Sequence, residues 1–253
     1  MKIGVIDSGI GGISVLYELM KTIPYAQFVY FADDVNAPFG DKPLDKIRSF
    51  GMRDIGYLES LGCEIVVIAC NTLTAAVKGI CDNNIKAKLV GSEPAVKPAL
   101  LSDGKIAVIA TSVTARSARL KCLINGNKRI DVFAEDELVK ILERVAPDFE
   151  KAENYIKTHL SYLNGYDSVV FGCTHFLFAE YYIKLIFQNI KCFDGNIGIS
   201  RQTANISNES TQIITNETGK TLNPLFITAS GRNENKLKDT LEYYKKVKEE
   251  IKF

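Results

Sequence analysis

The sequence predicts an α/β protein made of two pseudo-symmetric, doubly wound parallel-sheet domains with the active site between them. Three observations lead there. First, two pairs of segments repeat at one offset. Lys2-Ile-Gly-Val-Ile-Asp7-Ser8 resembles Lys105-Ile-Ala-Val-Ile-Ala110-Thr111. Gly62-Cys-Glu-Ile-Val-Val-Ile-Ala-Cys70-Asn71-Thr72 resembles Gly165-Tyr-Asp-Ser-Val-Val-Phe-Gly-Cys173-Thr174-His175, again 103 residues on. Second, each segment is a short apolar run ending in polar or small residues, the pattern of a parallel strand buried on both faces. Third, a stretch with helical spacing follows each run, so strand and helix alternate.

Taken in order, the elements read as follows. After Asp7-Ser8-Gly9-Ile10-Gly11-Gly12, the apolar Ile13, Leu16, Leu19 and Met20 recur at helical intervals. Leu73, Ala76, Val77 and Ile80 do the same after Cys70-Asn71-Thr72. Gly91-Ser-Glu-Pro94-Ala-Val-Lys-Pro98 breaks the periodicity and marks a domain boundary. The first domain is therefore read as residues 1–94 plus 200–253, and the second as 95–199. Gln202 to Thr221, rich in Asn, Ser and Thr with apolar Ile206, Ile213 and Ile214, reads as a loop or irregular connection. Arg232 to Phe253 is charged and amphipathic through Leu237, Leu241, Tyr244 and Val247, and is expected to be a terminal helix packing on the first domain.

Composition narrows the function classes. The 253 residues carry 31 Lys+Arg against 30 Asp+Glu, a net charge of +1, so no bulk charge favours nucleic acid or a membrane surface. No apolar run reaches the roughly 18 residues of a membrane span. Asp7 interrupts the short apolar start, which does not read as a signal peptide. Six cysteines (Cys63, Cys70, Cys81, Cys122, Cys173, Cys192) with no C-x-x-C pair, and only two histidines, His159 and His175, predict free thiols in a cytoplasmic protein and no zinc site. The sequons at Asn205, Asn208 and Asn216 are then coincidental.

In doubly wound sheets, ligands bind beyond the carboxyl ends of the strands, where Asp7, Ser8, Cys70, Asn71, Thr72, Cys173, Thr174 and His175 all fall. Facing two such units would set Cys70 opposite Cys173. Two thiols on opposite sides of a substrate can take a proton from one face and return one to the other, and the duplication suits a product that mirrors the substrate. The alternative is a pair of buried structural cysteines. Thiols need activation, because a free Cys is only a few per cent thiolate at neutral pH. Both cysteines precede an expected helix start, where amide donors favour anions, and His175 is two residues from Cys173. Asp7 would either assist or cap a helix. Ser8, Asn71, Thr72, Thr111, Thr114 and Thr174 supply hydroxyl and amide groups suited to a small carboxylate-bearing zwitterion. The Asp7–Gly12 loop is neither G-x-G-x-x-G nor a P-loop.

With these residues assembled, the sequence resembles the glutamate racemases of the cofactor-independent aspartate/glutamate racemase superfamily. The matching elements are Asp7-Ser8-Gly9-Ile-Gly-Gly12, Tyr30-Phe31-Ala32-Asp33, Pro38-Phe39-Gly40 with Lys42, Cys70-Asn71-Thr72, Thr111 to Ser117, Gly172-Cys173-Thr174-His175 and Phe226-Ile-Thr-Ala-Ser-Gly231. The resemblance implies a PLP-free isomerase without cofactor or metal that interconverts L- and D-glutamate. Its product would feed peptidoglycan synthesis, and hence cell-wall biogenesis and cell shape. It implies that Cys70 deprotonates the D-isomer and Cys173 the L-isomer. Asp7 supports the Cys70 side; His175 and an acid, aligned at Glu143, support the Cys173 side. Ser8, Pro38, Phe39, Gly40, Asn71, Thr72, Thr111, Thr114 and Thr174 join Asp7 and His175 in substrate binding. The partner is thus a small amino acid, with room for a homodimer.

The chain departs from the family pattern at Phe39, where tyrosine is usual, at Ala32, Ala37, Asp41 and Lys140, and across Asp34-Val35-Asn36. A missing phenol hydroxyl would remove a substrate hydrogen bond of roughly 0.5–1.5 kcal/mol. Two other readings therefore stay open: a racemase of aspartate or another small carboxylate, and a low-activity binding or regulatory paralogue.

Overall fold

The computed structural model describes residues 1–77, 85–210 and 223–250. Ile80, Cys81, Ile213, Ile214, Asn216 and Phe253, which entered the sequence reading, lie outside the described residues. The chain opens with β1 (Lys2–Asp7), α1 (Ile13–Thr22), β2 (Gln27–Ala32), α2 (Leu44–Ser60), β3 (Ile65–Ile68), α3 (Asn71–Val77) and β4 (Lys88–Gly91). It continues through α4 (Val96–Ala99), β5 (Ile106–Ala110), α5 (Ser112–Arg116), α6 (Ala118–Ile124), β6 (Ile130–Ala134) and α7 (Asp136–Val145). Then come α8 (Glu153–His159), β7 (Ser168–Gly172), α9 (Glu180–Ile186), β8 (Lys191–Phe193), α10 (Asn196–Ser210), β9 (Leu225–Thr228) and α11 (Glu234–Glu250).

The strands form two sheets, ordered β4-β3-β1-β2-β9 and β6-β5-β7-β8, with every pairing parallel. Read from the other edge, the first sheet runs β9-β2-β1-β3-β4. Its inner run β2-β1-β3-β4 repeats the whole second sheet, β6-β5-β7-β8. The four segments matched in the sequence are β1 and β3 of the first sheet and β5 and β7 of the second, the central pair of the repeated four-strand run in each. All residues of β3, β5 and β7 are buried, which explains their unbroken apolar character. β9 is the addition: it extends the first sheet by pairing with β2, Phe226 beside Tyr30.

Side chains alternate across the first sheet as the pleat requires. Ile3 and Val5 enter one core, and Ile6 enters another with Val29 and Phe31. The larger core continues without interruption from Ile3, Val5, Tyr30 and Val67 to Ile109, Val169 and Phe171 of the second sheet, by way of Leu138 and Leu142 of α7. One shared apolar body therefore holds the sheets together and sets where their carboxyl ends meet.

Residues 202–210 are not irregular but continue α10; the rest of that stretch, 211–222, lies outside the described residues. Buried polar side chains masked the helix. Thr203 donates its hydroxyl proton to the Ile199 carbonyl at 2.8 Å and Ser207 to that of Ala204 at 2.8 Å, so these side chains line a buried helix face without an unmet hydrogen bond. Among the described residues, no helix is long and apolar enough to cross a membrane.

Candidate active site

Cys70 follows β3 and Cys173 follows β7, the two matched strands, and both sulfurs line one small cavity between the sheets. Ser8, Pro38, Phe39, Gly40, Thr72, Thr111 and His175 share its wall. Sequence reasoning missed four more lining residues: Asp41, Asp136, Val139 and Lys140. The free volume is about 10 Å³, room for about one water. Lys140 of α7 and Asp41 of the first domain approach to 3.9 Å across the cleft. Asn71 and Thr174 line an adjoining cavity that also touches Cys173. Thr114 stands behind Thr111 rather than on the wall: its N–H caps onto the Thr111 hydroxyl at the start of α5.

Asp7 ends β1 and is wholly buried. It does not cap α1, whose N-cap is Gly12. Its Oδ1 accepts from Gly9 N–H at 3.1 Å, and its Oδ2 accepts from the Thr174 hydroxyl at 3.1 Å. Burial pushes its pKa up to about 6, against the opposing pull of His175, Gly9 N–H and Thr174. Cys70 was expected to gain acidity from the helix start it precedes. Leu73 N–H does donate to its sulfur at 3.5 Å. Burial and the nearby Asp7 carboxylate outweigh that donor and push the Cys70 thiol well up. In the resting site Cys70 is therefore a protonated thiol beside a carboxyl group that ionises near pH 6.

The Cys173 side is built differently. Cys173 precedes a short 3-10 turn, Thr174–Phe178, rather than an α-helix. That turn brings the His175 ring back, so Nδ1 lies 3.8 Å from the Cys173 sulfur. Nε2 lies 2.8 Å from Glu143 Oε2 on α7. Burial disfavours the imidazolium, but the sulfur and the Glu143 carboxylate overcome it, and the His175 pKa is raised well above the ordinary value. Burial likewise works against ionised Glu143, yet His175, Lys236 and Ile10 N–H hold its pKa down at about 2. The outcome is a charge-assisted imidazolium–carboxylate pair next to Cys173, its ring buried and its carboxylate half-buried. Lys236 and Ile10 had no signal in the sequence, since neither lies near a strand end of the second domain.

Hydroxyls bridge the two halves. Thr72 and Thr111 share a hydrogen bond at 2.9 Å, and Thr111 also donates to Thr114 at 3.1 Å. Ser112 donates to Asp136 through N–H at 3.0 Å and through its hydroxyl. The glycine-rich loop after β1 permits this closeness. A Cβ on Gly9 would sit 2.2 Å from Glu143 Oε2, and one on Gly11 would sit 2.3 Å from Thr174 Oγ1 and 2.6 Å from His175 Nδ1. The loop is bare so that the second domain's acid–base groups can press against it.

Two thiols at symmetry-matched positions, each with its own acid–base partner and a shared set of small donors, can deprotonate and reprotonate one carbon from opposite sides. Among the described residues, no group of three or more His, Cys, Asp and Glu side chains is placed to hold a metal ion. No protein-family model matches the chain. It is 37% identical to a glutamate racemase of Lachnospira eligens over 215 residues, which is 81% of either chain. It is 34% identical to a glutamate racemase of Halothermothrix orenii over 257 residues, 98% of this chain and 100% of that one. In fold it matches Escherichia coli glutamate racemase, solved with L-glutamate and the activator UDP-MurNAc-Ala. The TM-score is 0.78 at 22% identity, covering 96% of this chain and 94% of that chain.

Proposed function

The chain belongs to the glutamate racemase family of PLP-independent isomerases, and we propose that it interconverts L- and D-glutamate by proton transfer at Cα between Cys70 and Cys173. The observation that carries this reading is the pairing of these two sulfurs on one cavity, at corresponding ends of β3 and β7. One sulfur, as thiolate, takes the α-proton; the opposite thiol gives its proton to the other face, and the carbon inverts. No electrons are exchanged with a partner and no group leaves, so the chemistry balances with two thiols alone.

Following the family assignment, Cys70 acts on the D-isomer and Cys173 on the L-isomer. Asp7 takes the proton from Cys70, and its pKa of about 6 lies close to working pH, where a general base is most effective. On the other side His175, held as an imidazolium by Glu143, carries the corresponding proton, stabilising Cys173 as thiolate and returning the proton when Cys173 must be a thiol. Ser8, Thr72, Thr111, Thr174 and nearby backbone N–H groups hold the ammonium and carboxylates, with Pro38, Phe39 and Gly40 forming the adjoining wall. Hydrogen bonds to the α-carboxylate disperse its charge and lower the cost of the carbanion that forms as the proton leaves. The cavity as it stands holds about one water, so glutamate enters when the two sheets part and is sealed from solvent when they close. Product D-glutamate would supply peptidoglycan synthesis in the cytoplasm. The five cysteines among the described residues are all free, which suits a reducing compartment.

Circular dichroism of the purified protein, freed of PLP and held in EDTA, tests the reading. Either enantiomer of glutamate should lose its signal to zero. A flat signal from both, or turnover confined to aspartate, would reject it.

A further inference from the structure

Glu143 is gripped from the domain it does not belong to. Lys236 stands on α11, which packs on α1 and β9 of the first sheet's side of the molecule. Its Nζ donates to the main-chain carbonyl oxygen of Glu143 and lies 3.3 Å from Oε1. Oε2 is held separately, by Ile10 N–H at 2.9 Å and by His175 Nε2 at 2.8 Å. Three donors from three distant parts of the chain thus occupy both oxygens, and two of them come from the first domain.

This matters because the Glu143 side chain is 28% exposed. A carboxylate at the edge of solvent has water as an alternative partner, and its terminal torsion is soft. Lys236 opposes both: it pins the second oxygen and supplies a fixed opposite charge. His175 is aimed at Cys173 only while its other nitrogen has a fixed acceptor, the usual way a ring nitrogen's role is set. The titratable groups around the ring are Cys173 and Glu143 against it, Asp7 across the cleft, and the neutral Tyr30 phenol beside Asp7.

We propose that Lys236 is a positioning residue for proton transfer at Cys173: by holding Glu143 from the first domain, it aligns His175 when the two sheets are closed. The proposal rests on the two-thiol reading above. It makes the C-terminal helix part of the working site, though no atom of that helix lines the cavity.

The test uses the full-length protein and the variants Lys236→Met, Lys236→Arg, Glu143→Gln and the Met/Gln double variant. Lys236→Gln replaces Lys236→Met if the latter fails to fold. Free enantiomers are equal in energy, so kcat/KM must fall equally in both directions. The side-specific readouts are kcat and the primary isotope effect from each α-deuterated enantiomer. Lys236→Met should lower kcat roughly 10- to 100-fold, with the larger rise in isotope effect in the direction that starts at Cys173. Lys236→Arg should recover most of the loss. In the Glu143→Gln background, Lys236→Met should cost nothing further, because its effect passes through Glu143.

A readout independent of turnover is the ring Nε2–H signal of His175, one of only two histidines in the chain. Its hydrogen exchange should quicken at least roughly tenfold in Lys236→Met as the Glu143 acceptor loosens. Additive losses in the double variant, wild-type kcat and isotope effects in Lys236→Met, or an unchanged Nε2–H signal would each overturn the proposal. If the wild type leaves both glutamate enantiomers untouched, the two-thiol reading fails, and the Nε2–H comparison still decides whether Lys236 positions the His175–Glu143 pair.

Discussion

The Asp7 carboxylate accepts a hydrogen bond from the Thr174 hydroxyl at 3.1 Å, across 167 residues of chain. This contact joins the acid at the end of β1 to the residue that follows Cys173, so each thiol's supporting group touches the other half of the site. The two half-sites are therefore coupled, and His175 lowers the pKa of Asp7 through its charge.

The sulfurs come first. Cys70→Ala and Cys173→Ala should each lower racemisation by roughly 10³-fold or more, since each removes one of the two proton carriers. Both variants should melt cooperatively, with at most about 1–2 kcal/mol lost from one small buried side chain. A near-normal rate in either would rule out a two-thiol mechanism.

Asp7 predicts a pH limb and a stability change of known sign. It must be ionised to accept a proton from Cys70, so kcat/KM should fall as pH drops through about 6. Asp7→Asn should impair turnover and abolish that limb. For stability, a buried carboxyl with a raised pKa favours the neutral form in the folded state. That stabilisation is full below about pH 4, the ordinary Asp value, and is lost as pH climbs through about 6. Asp7→Asn should thus gain roughly 1–3 kcal/mol over wild type at pH 8 and almost nothing at pH 4. Denaturant melts at the two pH values check it; an equal gain at both would disprove the linkage.

The bridging hydroxyls give a more selective probe. Thr174→Val keeps the shape but removes the donor that helps hold Asp7 ionised. Its acid limb should move up by as much as about one pH unit, the equivalent of one hydrogen bond. Thr72→Val removes the bond to Thr111 in the opposite half and should raise KM without moving that limb. Identical pH profiles for the two variants would break the assignment of Thr174 to Asp7.

Gly11→Ala examines closure. The added methyl would meet Thr174 Oγ1 at 2.3 Å and His175 Nδ1 at 2.6 Å, so the loop or the second domain must yield. Misplacement on that scale should cost kcat/KM roughly 100-fold. The sheets, which do not involve this position, should unfold much as in wild type. Unimpaired kinetics would mean that the loop and the second domain separate during turnover without needing that contact.

The repeat made the architecture legible from the sequence alone. Short Ile/Val runs ending in Asp7, Cys70, Ala110 and Cys173 have to be buried parallel strands, and the common 103-residue offset makes them counterparts. Periodicity is local, and so are the strand ends where ligand-binding residues collect. What stayed hidden is not local. α10 was masked because Thr203 and Ser207 satisfy their hydroxyls within their own helix, which composition does not reveal. The lining residues Asp41, Asp136, Val139 and Lys140, and the grip of Ile10 and Lys236 on Glu143, arise only when two domains close on each other. Proton affinities belong to the same class. The helix start at Cys70 suggested a more acidic thiol, yet burial beside Asp7 drives it the other way. Desolvation depends on everything packed around a group, so tertiary structure decides it, while the order of residues determines only which groups are there to be buried.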